Sequence, residues 1–136
     1  MTDRRYTLSK NERLCGKKNI QELFNEGSSF YFFPFKVYYS FNKNKTEGDH
    51  CALFTVPKRL FSKAVDRNLL KRKIKEAYRL NKPQFYNIPT SRPINIAYIY
   101  TARKMLNYSD IESSMIRCQK KLADNILNAQ NDEEKN

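Results

Sequence analysis

Apolar positions first recur at helical spacing over residues 17–26, K-K-N-I-Q-E-L-F-N-E, where Ile20, Leu23 and Phe24 share a face and Gly27 follows as a stop. The spacing predicts a short helix. The period then shortens. Residues 28–41, S-S-F-Y-F-F-P-F-K-V-Y-Y-S-F, are dense in aromatics and read as strand, which Pro34 divides into a short edge piece and a longer strand 35–41. Along that strand Phe35, Val37, Tyr39 and Phe41 point one way, and Lys36, Tyr38 and Ser40 the other. A polar hairpin loop over 42–50, with Gly48 near its tip, leads to a strand at 51–56 that Pro57 ends.

Helical spacing returns over 63–81, where Leu70, Ile74, Ala77 and Tyr78 gather on one arc. Ser62 is the expected N-cap, Asp66 suits the positive end of the helix dipole, and Pro83 is expected to stop the helix. A proline-punctuated connection over 82–93, expected to wrap the surface, precedes a nearly continuous apolar strand at 94–101, suited to a sheet interior. The last helix is expected to start at Tyr108 with Ser109 or Asp110 as cap, and Ile111, Met115, Cys118, Leu122 and Ile126 form its inner stripe. The polar segment 1–14 reads as a loosely held arm, and the acidic end 128–136 as a frayed tail. The order αβββαβα predicts an α+β two-layer sandwich on a mixed sheet of about four strands. At 136 residues this is a single domain, its ordered core spanning about 8–127.

Charge changes the picture. The chain carries 26 Lys and Arg against 14 Asp and Glu, a net +12. Residues 57–82 concentrate it: Lys58, Arg59, Lys63, Arg67, Lys71, Arg72, Lys73, Lys75, Arg79 and Lys82 stand against Asp66 and Glu76 alone. Arg67, Lys71, Lys75 and Arg79 fall at successive fourth positions of the helix, with Asn68 and Arg72 beside them. Like charges at that spacing repel, so an external polyanion that neutralises them explains the ladder; a solvated surface face is the alternative, although such faces usually mix Glu with Lys. Nucleic acid comes before membrane as that polyanion. The longest apolar run, 30–35, is far short of the roughly 20 residues a spanning helix needs, and the N-terminal stretch lacks the apolar core of a secretory signal, so a cytoplasmic location is expected.

Chemistry-bearing residues are sparse. Cys15, Cys51 and Cys118 are widely spaced, with no C-x-x-C, and read as reduced thiols. His50 stands alone and reads as a turn residue before a strand. Asp49, Asp66, Glu76, Asp110 and Glu112 are scattered, so no two-metal carboxylate cluster or paired-imidazole centre is evident. What the pattern offers instead is a platform: Lys36 and Tyr38 on one strand face, beside the helix aromatic Phe24. Aromatic rings stack on bases at about 1–3 kcal/mol per base while nearby cations follow the backbone. Phe24 reads equally as core packing against the sheet, and Tyr38 as one of nine tyrosines.

The stretch K-A-V-D-R-N-L-L-K-R-K-I-K-E-A-Y-R, residues 63–79, resembles the signature of the bacterial ribonuclease P protein subunit, in which Arg-Asn-Arg, Lys-Arg and a further Arg recur at two-residue gaps. Lys63, Ala64, Val65, Arg67, Asn68, Lys71, Arg72, Glu76, Ala77 and Arg79 fit that pattern. Leu69 stands where the third residue of Arg-Asn-Arg falls, so that arginine's contact does not carry over. Lys75 replaces an Arg, keeping the charge without the planar two-donor fork. Ile20 and Phe24 take the family's groove positions, although an aromatic is more usual at Ile20; Tyr38 matches the tyrosine of the leader-binding face; and A-R-K at 102–104 is similar to the turn after the last strand.

The resemblance implies a ribonucleoprotein that removes the 5′ leader of precursor tRNA, with the chemistry on the RNA subunit and its Mg²⁺ ions, no catalytic residue or organic cofactor in the protein, and self-association not required. It implies that Lys58, Arg59, Lys63, Arg67, Asn68, Lys71, Arg72, Lys75 and Arg79 dock on the catalytic RNA, and that Ile20, Phe24, Lys36 and Tyr38 hold the leader. It also implies a left-handed crossover between the strands flanking the basic helix, against the usual right-handed rule for parallel pairs. Three other readings share the charge. A ribosomal-type RNA glue has no reason for the aromatic strand face, and a stand-alone nuclease needs a carboxylate or histidine cluster. A membrane-surface binder needs Leu70, Ile74 and Tyr78 exposed.

Overall fold

In the structure, a computed structural model that describes residues 17–42, 50–86 and 92–135, four strands form one mixed sheet. They are β1 (Ser28–Phe32), β2 (Phe35–Phe41), β3 (Cys51–Thr55) and β4 (Ile94–Tyr100), in the spatial order β1-β2-β4-β3. The β1–β2 and β2–β4 pairs are antiparallel; β3 and β4 are parallel. A parallel pair cannot be closed by a tight turn, and the crossover is the basic helix α2 (Ala64–Tyr86). The first helix, α1, spans Lys17–Glu26 as the spacing predicts, and α3 spans Tyr108–Lys135. The N-terminal arm at 1–14, most of the hairpin loop and part of the connection after α2 lie outside the described residues.

Strand alternation sorts the side chains into two faces. On one, Phe35 and Val37 of β2, Ala52 and Phe54 of β3, and Ile94, Ile96, Tyr98 and Tyr100 of β4 meet α2 and α3. Those helices contribute the stripes read from the sequence, Leu70, Ile74, Ala77 and Tyr78 from α2 and Ile111, Met115, Cys118, Leu122 and Ile126 from α3, all buried. Tyr98 sits at the centre, stacked on Phe54 with ring centroids 5.7 Å apart and edge-on to Phe35 at 6.0 Å. On the opposite face α1 lies on the sheet through Leu23, which meets Cys51 and Ala97. Gly27 ends α1 where its backbone runs close to others: a Cβ there would come within 2.4 Å of the Leu23 carbonyl and 3.0 Å of the Tyr39 carbonyl. His50, just before β3, is buried, and its Nδ1 accepts a hydrogen bond from the Ile94 N–H at 3.0 Å, tying together the starts of the two parallel strands.

Several boundaries differ from the sequence reading. Pro83 lies inside α2, which continues to Tyr86, so residues 82–86 are helix rather than surface connection. Proline forfeits one backbone hydrogen bond, but Asn81, two residues back, donates from Nδ2 to the Ala77 carbonyl at 2.8 Å and to Glu112 of α3 at 3.3 Å. The bond to Glu112 ties this end of α2 to α3, and Lys82 beside it is buried. The first helical bond of α2 runs from the Arg67 N–H to the Lys63 carbonyl, which moves the N-cap position from Ser62 to Lys63. At α3 the cap is Asn107, whose Oδ1 accepts the Asp110 N–H at 2.9 Å, and Ser109 and Asp110 fall in the first turn. The segment expected to fray is helical through Lys135.

Burial raises the pKa of core hydroxyl and thiol groups. Cys118 is pushed up to about 12, and Tyr98 and Tyr100 are raised above the ordinary tyrosine value, each mainly by desolvation. Raised acid pKa values stabilise the fold fully below the unfolded values of 9.0 for cysteine and 10.0 for tyrosine. As pH rises further, the unfolded chain gives up protons that the native state keeps, and stability falls. Urea midpoints are therefore expected to be level between pH 7 and about 8.5 and to drop steadily above about pH 9.5. A midpoint that holds to pH 11 would contradict this burial.

Candidate nucleic-acid interface

Helix α2 turns its apolar arc to the sheet and its polar arc outward. Asn68, Arg72 and Lys75 are exposed, Lys71 is half-buried, and Lys58, Arg59 and Lys63 are exposed in and beside the segment that leads into the helix. Not all the cations of the predicted ladder are equally available. The Arg67 guanidinium folds back, and its Nη1 donates to the carbonyls of Phe61 and Ser62 at 2.8 and 2.9 Å, so this side chain fastens the loop before α2. Arg79 is paired with Glu76 one turn away, its Nε donating to Oε2 at 3.1 Å. The bond from Arg79 holds the Glu76 carboxyl below its ordinary pKa, and the same pairing raises that of Arg79. Lys82, counted with the basic run from sequence, is buried at 2% exposure. The outward cations of the helix are therefore centred on Lys71, Arg72 and Lys75, flanked by Lys58, Arg59 and Lys63. Two exposed apolar residues, Val65 and Leu69, stand among them, and Leu69 is the position that departs from the Arg-Asn-Arg pattern.

The second candidate surface lies on the other face of the sheet. Cross-strand register places Tyr31, Lys36, Ile99 and Thr55 side by side, with Ser29, Tyr38, Ala97 and Leu53 as the next row. Leu23 seats α1 over Ala97 and Cys51, and Ile20, Tyr38 and Leu53 pack around that contact. Phe24 stays open, 36% exposed, with its ring edge-on to Tyr38 at 4.9 Å between centroids. Lys36 places its Nζ 5.7 Å from the centre of the Tyr38 ring. The four cleft residues chosen from sequence thus converge: Phe24, Tyr38 and Lys36 form one cation-edged aromatic surface, and Ile20 is a half-buried wall behind it.

Register also adds residues that periodicity could not select. Tyr31 faces the same way as Lys36 and is 53% exposed; Phe33, in the turn between β1 and β2, is equally open. That turn is held in place. Thr101 donates from both N–H and Oγ1 to the Pro34 carbonyl, each at 2.8 Å, and Ser114 donates to the Phe33 carbonyl at 3.0 Å. Because β3 and β4 are parallel, the segments after them leave the same end of the sheet, the end occupied by Tyr31 and Lys36. Lys58 and Arg59 follow β3, and the exposed Arg103 and Lys104 follow β4. The Tyr100 hydroxyl fixes this second turn by donating to the Lys104 carbonyl at 2.7 Å and accepting from the Leu106 N–H at 3.1 Å. A basic rim therefore joins the aromatic cleft to the start of α2, a continuity hidden from sequence because it depends on strand order.

Among the described residues, no three His, Cys, Asp or Glu side chains come together as a metal site, and no helix is long and apolar enough to cross a membrane. What this arrangement can do is hold ribose-phosphate along cations and unpaired bases against rings.

The chain is similar to proteins of ribonuclease P. The family model described as Ribonuclease P matches residues 8–123. The ribonuclease P protein component of Porphyromonas gingivalis is 32% identical over 123 residues, covering 89% of this chain and 90% of that protein. Its counterpart in Petrotoga mobilis is 33% identical over 115 residues, covering 83% and 88%. Among solved structures, the Staphylococcus aureus RNase P protein superposes with a TM-score of 0.64 at 26% identity, over 84% of this chain and 96% of that one. The Thermotoga maritima RNase P protein shares the fold, with a TM-score of 0.66 at 23% identity over 81% and 96%.

Proposed function

The chain belongs to the ribonuclease P protein family, whose role lies in the 5′ processing of tRNA, and from that premise we propose that it binds the catalytic RNA and the 5′ leader of precursor tRNA at two separate surfaces. The carrying observation is the pairing, in one small domain, of an outward cationic helix face with an aromatic, lysine-edged cleft on the far side of the sheet. Lys71, Arg72 and Lys75, with Lys58, Arg59 and Lys63, dock on the RNA subunit and screen its phosphates. Asn68 adds a neutral hydrogen-bonding group between them, while Arg67 and Arg79 contribute through side chains already engaged within the chain. Phe24, Tyr38 and Lys36, backed by Ile20, take the single-stranded leader by stacking and backbone attraction.

Hydrolysis of the phosphodiester belongs, on this reading, to the RNA subunit and the Mg²⁺ it holds. The protein's share is affinity and selection: a cleft for the leader favours precursor over mature tRNA, which has lost that segment. The setting is the cytoplasm, where precursor tRNA is made.

Purified protein, precursor tRNA and cognate RNA subunit at low Mg²⁺ are expected to give 5′ leader cleavage only when protein and RNA subunit are both present. Cleavage by the protein alone would replace this reading with that of a stand-alone nuclease. Tyr38→Ala is expected to weaken precursor binding by the holoenzyme about 5- to 160-fold, the worth of one stacked base, and to leave mature tRNA affinity unchanged. Equal losses for both tRNAs would remove the leader from this cleft.

A further inference from the structure

On the other side of α1 from Phe24, where β2 ends and β4 begins, lies a cavity of about 360 Å³ that neither RNA surface uses. Leu23 gives it an apolar wall, Glu22 and Glu26 bring carboxylates from α1, and the exposed Arg92 reaches it from the segment before β4. Asn95 of β4 also lines it. This side chain is 7% exposed and its Oδ1 is buried without a hydrogen-bond partner. An unsatisfied buried amide is uncommon, because leaving such a group unpaired is destabilising by about 1–3 kcal/mol. Asn95 shares its sheet face with Tyr38 but sits two residues beyond the Tyr38-paired Ala97, beneath the opposite flank of the helix.

We propose that this cavity is a guanine-nucleotide pocket, separate from the Phe24–Tyr38 cleft. Its size suits one nucleoside, and its composition selects the base. Carboxylates disfavour a phosphate inside, whereas Arg92 on the exposed side attracts one. Guanine alone among the four bases presents two adjacent donors, N1–H and the N2 amino group, which match the two oxygens of the Glu22 carboxylate. Adenine and cytosine set a ring-nitrogen acceptor beside their amino group, and uracil flanks its single N–H with carbonyls; each would meet a carboxylate oxygen with a lone pair. The Asn95 Oδ1, without a partner among the described residues, accepts the remaining N2 hydrogen of the base. Glu26, engaged within the chain, adds to the negative field without being required as a ligand. The choice of a nucleotide rests on the RNA-binding reading, but the occupant can be sought without the RNA subunit, so the two can fail separately.

The full chain is titrated with GMP, AMP, CMP and UMP, and in a second arm with a short oligouridylate and the same oligomer carrying one guanosine. Asn95 side-chain amide resonances and dissociation constants are the readouts. GMP is expected to shift the Asn95 amide and to bind about tenfold tighter than the other nucleotides, the discrimination of a two-hydrogen-bond base contact. Glu22→Gln, on a partly exposed helix position that tolerates an amide, is expected to abolish that preference, and Tyr38→Ala to leave it intact. A matching gain for the guanosine-bearing oligomer assigns the pocket to RNA; a gain confined to GMP assigns it to the free nucleotide. Equal affinity for all four nucleotides in both arms, an Asn95 amide that does not respond, or a preference that survives Glu22→Gln overturns the proposal.

Discussion

Reversing the charge of Lys71 and Arg72 together, by Lys71→Glu with Arg72→Glu, is expected to lower affinity for the RNA subunit by about 60-fold or more near 0.1 M salt. Each phosphate contact contributes about 0.9 to the log–log salt slope on duplex, so two lost contacts remove about 1.8 from that slope; the same 1.8 logarithmic units, taken at 0.1 M against 1 M, give the fold-change. Repulsion by the new carboxylates adds to it. These two positions are chosen because their neighbours are engaged. Arg79 shares its charge with Glu76, so Arg79→Ala is expected to reduce affinity by less than any one of the outward cations. Glu76→Gln, which releases Arg79, is expected to strengthen RNA binding. Arg67 holds the Phe61 and Ser62 carbonyls, so Arg67→Ala is expected to lower stability as well as affinity. Filter binding across a salt series separates these variants; an Arg79→Ala loss equal to that of the double reversal would refute the assignment of roles along α2.

The largest effect on folding is expected at Tyr98, where two substitutions should act in opposite directions. The ring lies between Phe35, Phe54 and Tyr78 with no exposed surface. Tyr98→Ala removes it and is expected to reduce stability by about 3–5 kcal/mol, the range for large aromatic truncations in cores. That is a large part of the roughly 5–15 kcal/mol that holds a domain of this kind together. The Tyr98 hydroxyl, however, is buried without a hydrogen-bond partner, so Tyr98→Phe keeps the ring and discards an unsatisfied group. It is expected to raise stability by about 1 kcal/mol. Urea denaturation of both variants is the measurement, and a destabilised Tyr98→Phe would mean that the hydroxyl is satisfied in solution.

How far these features were legible in the sequence depends on the range of the interaction involved. The stripes of α2 and α3 and the alternation of β2 arise from local geometry, and Leu70, Ile74, Met115, Leu122, Phe35 and Val37 are all buried as their periods require. Pro83 misled because its effect was judged locally: the lost backbone bond is real, but Asn81 and Glu112 link the helix to α3 and the helix runs on. Counting charges found the cationic helix but could not find its partners, so Arg67 and Arg79 counted as fully as Lys71, and Lys82 looked like a surface cation. Tyr31 escaped notice for another reason. Its neighbour across the sheet, Lys36, is set by register, and no pattern within either strand reveals the pairing.

The cationic arc of α2 and the Phe24–Tyr38 cleft stand on opposite faces of one sheet, separated by a layer of packed side chains and sharing none of them. Substitutions that far apart with no common partner combine with little interaction, within about 0.5 kcal/mol. Docking to the RNA subunit and preference for the leader should therefore behave as detachable modules. A chain carrying both the α2 reversal and Tyr38→Ala should show the product of the two losses, and the leader preference should be transferable to another subunit of this fold by exchanging the few cleft positions alone.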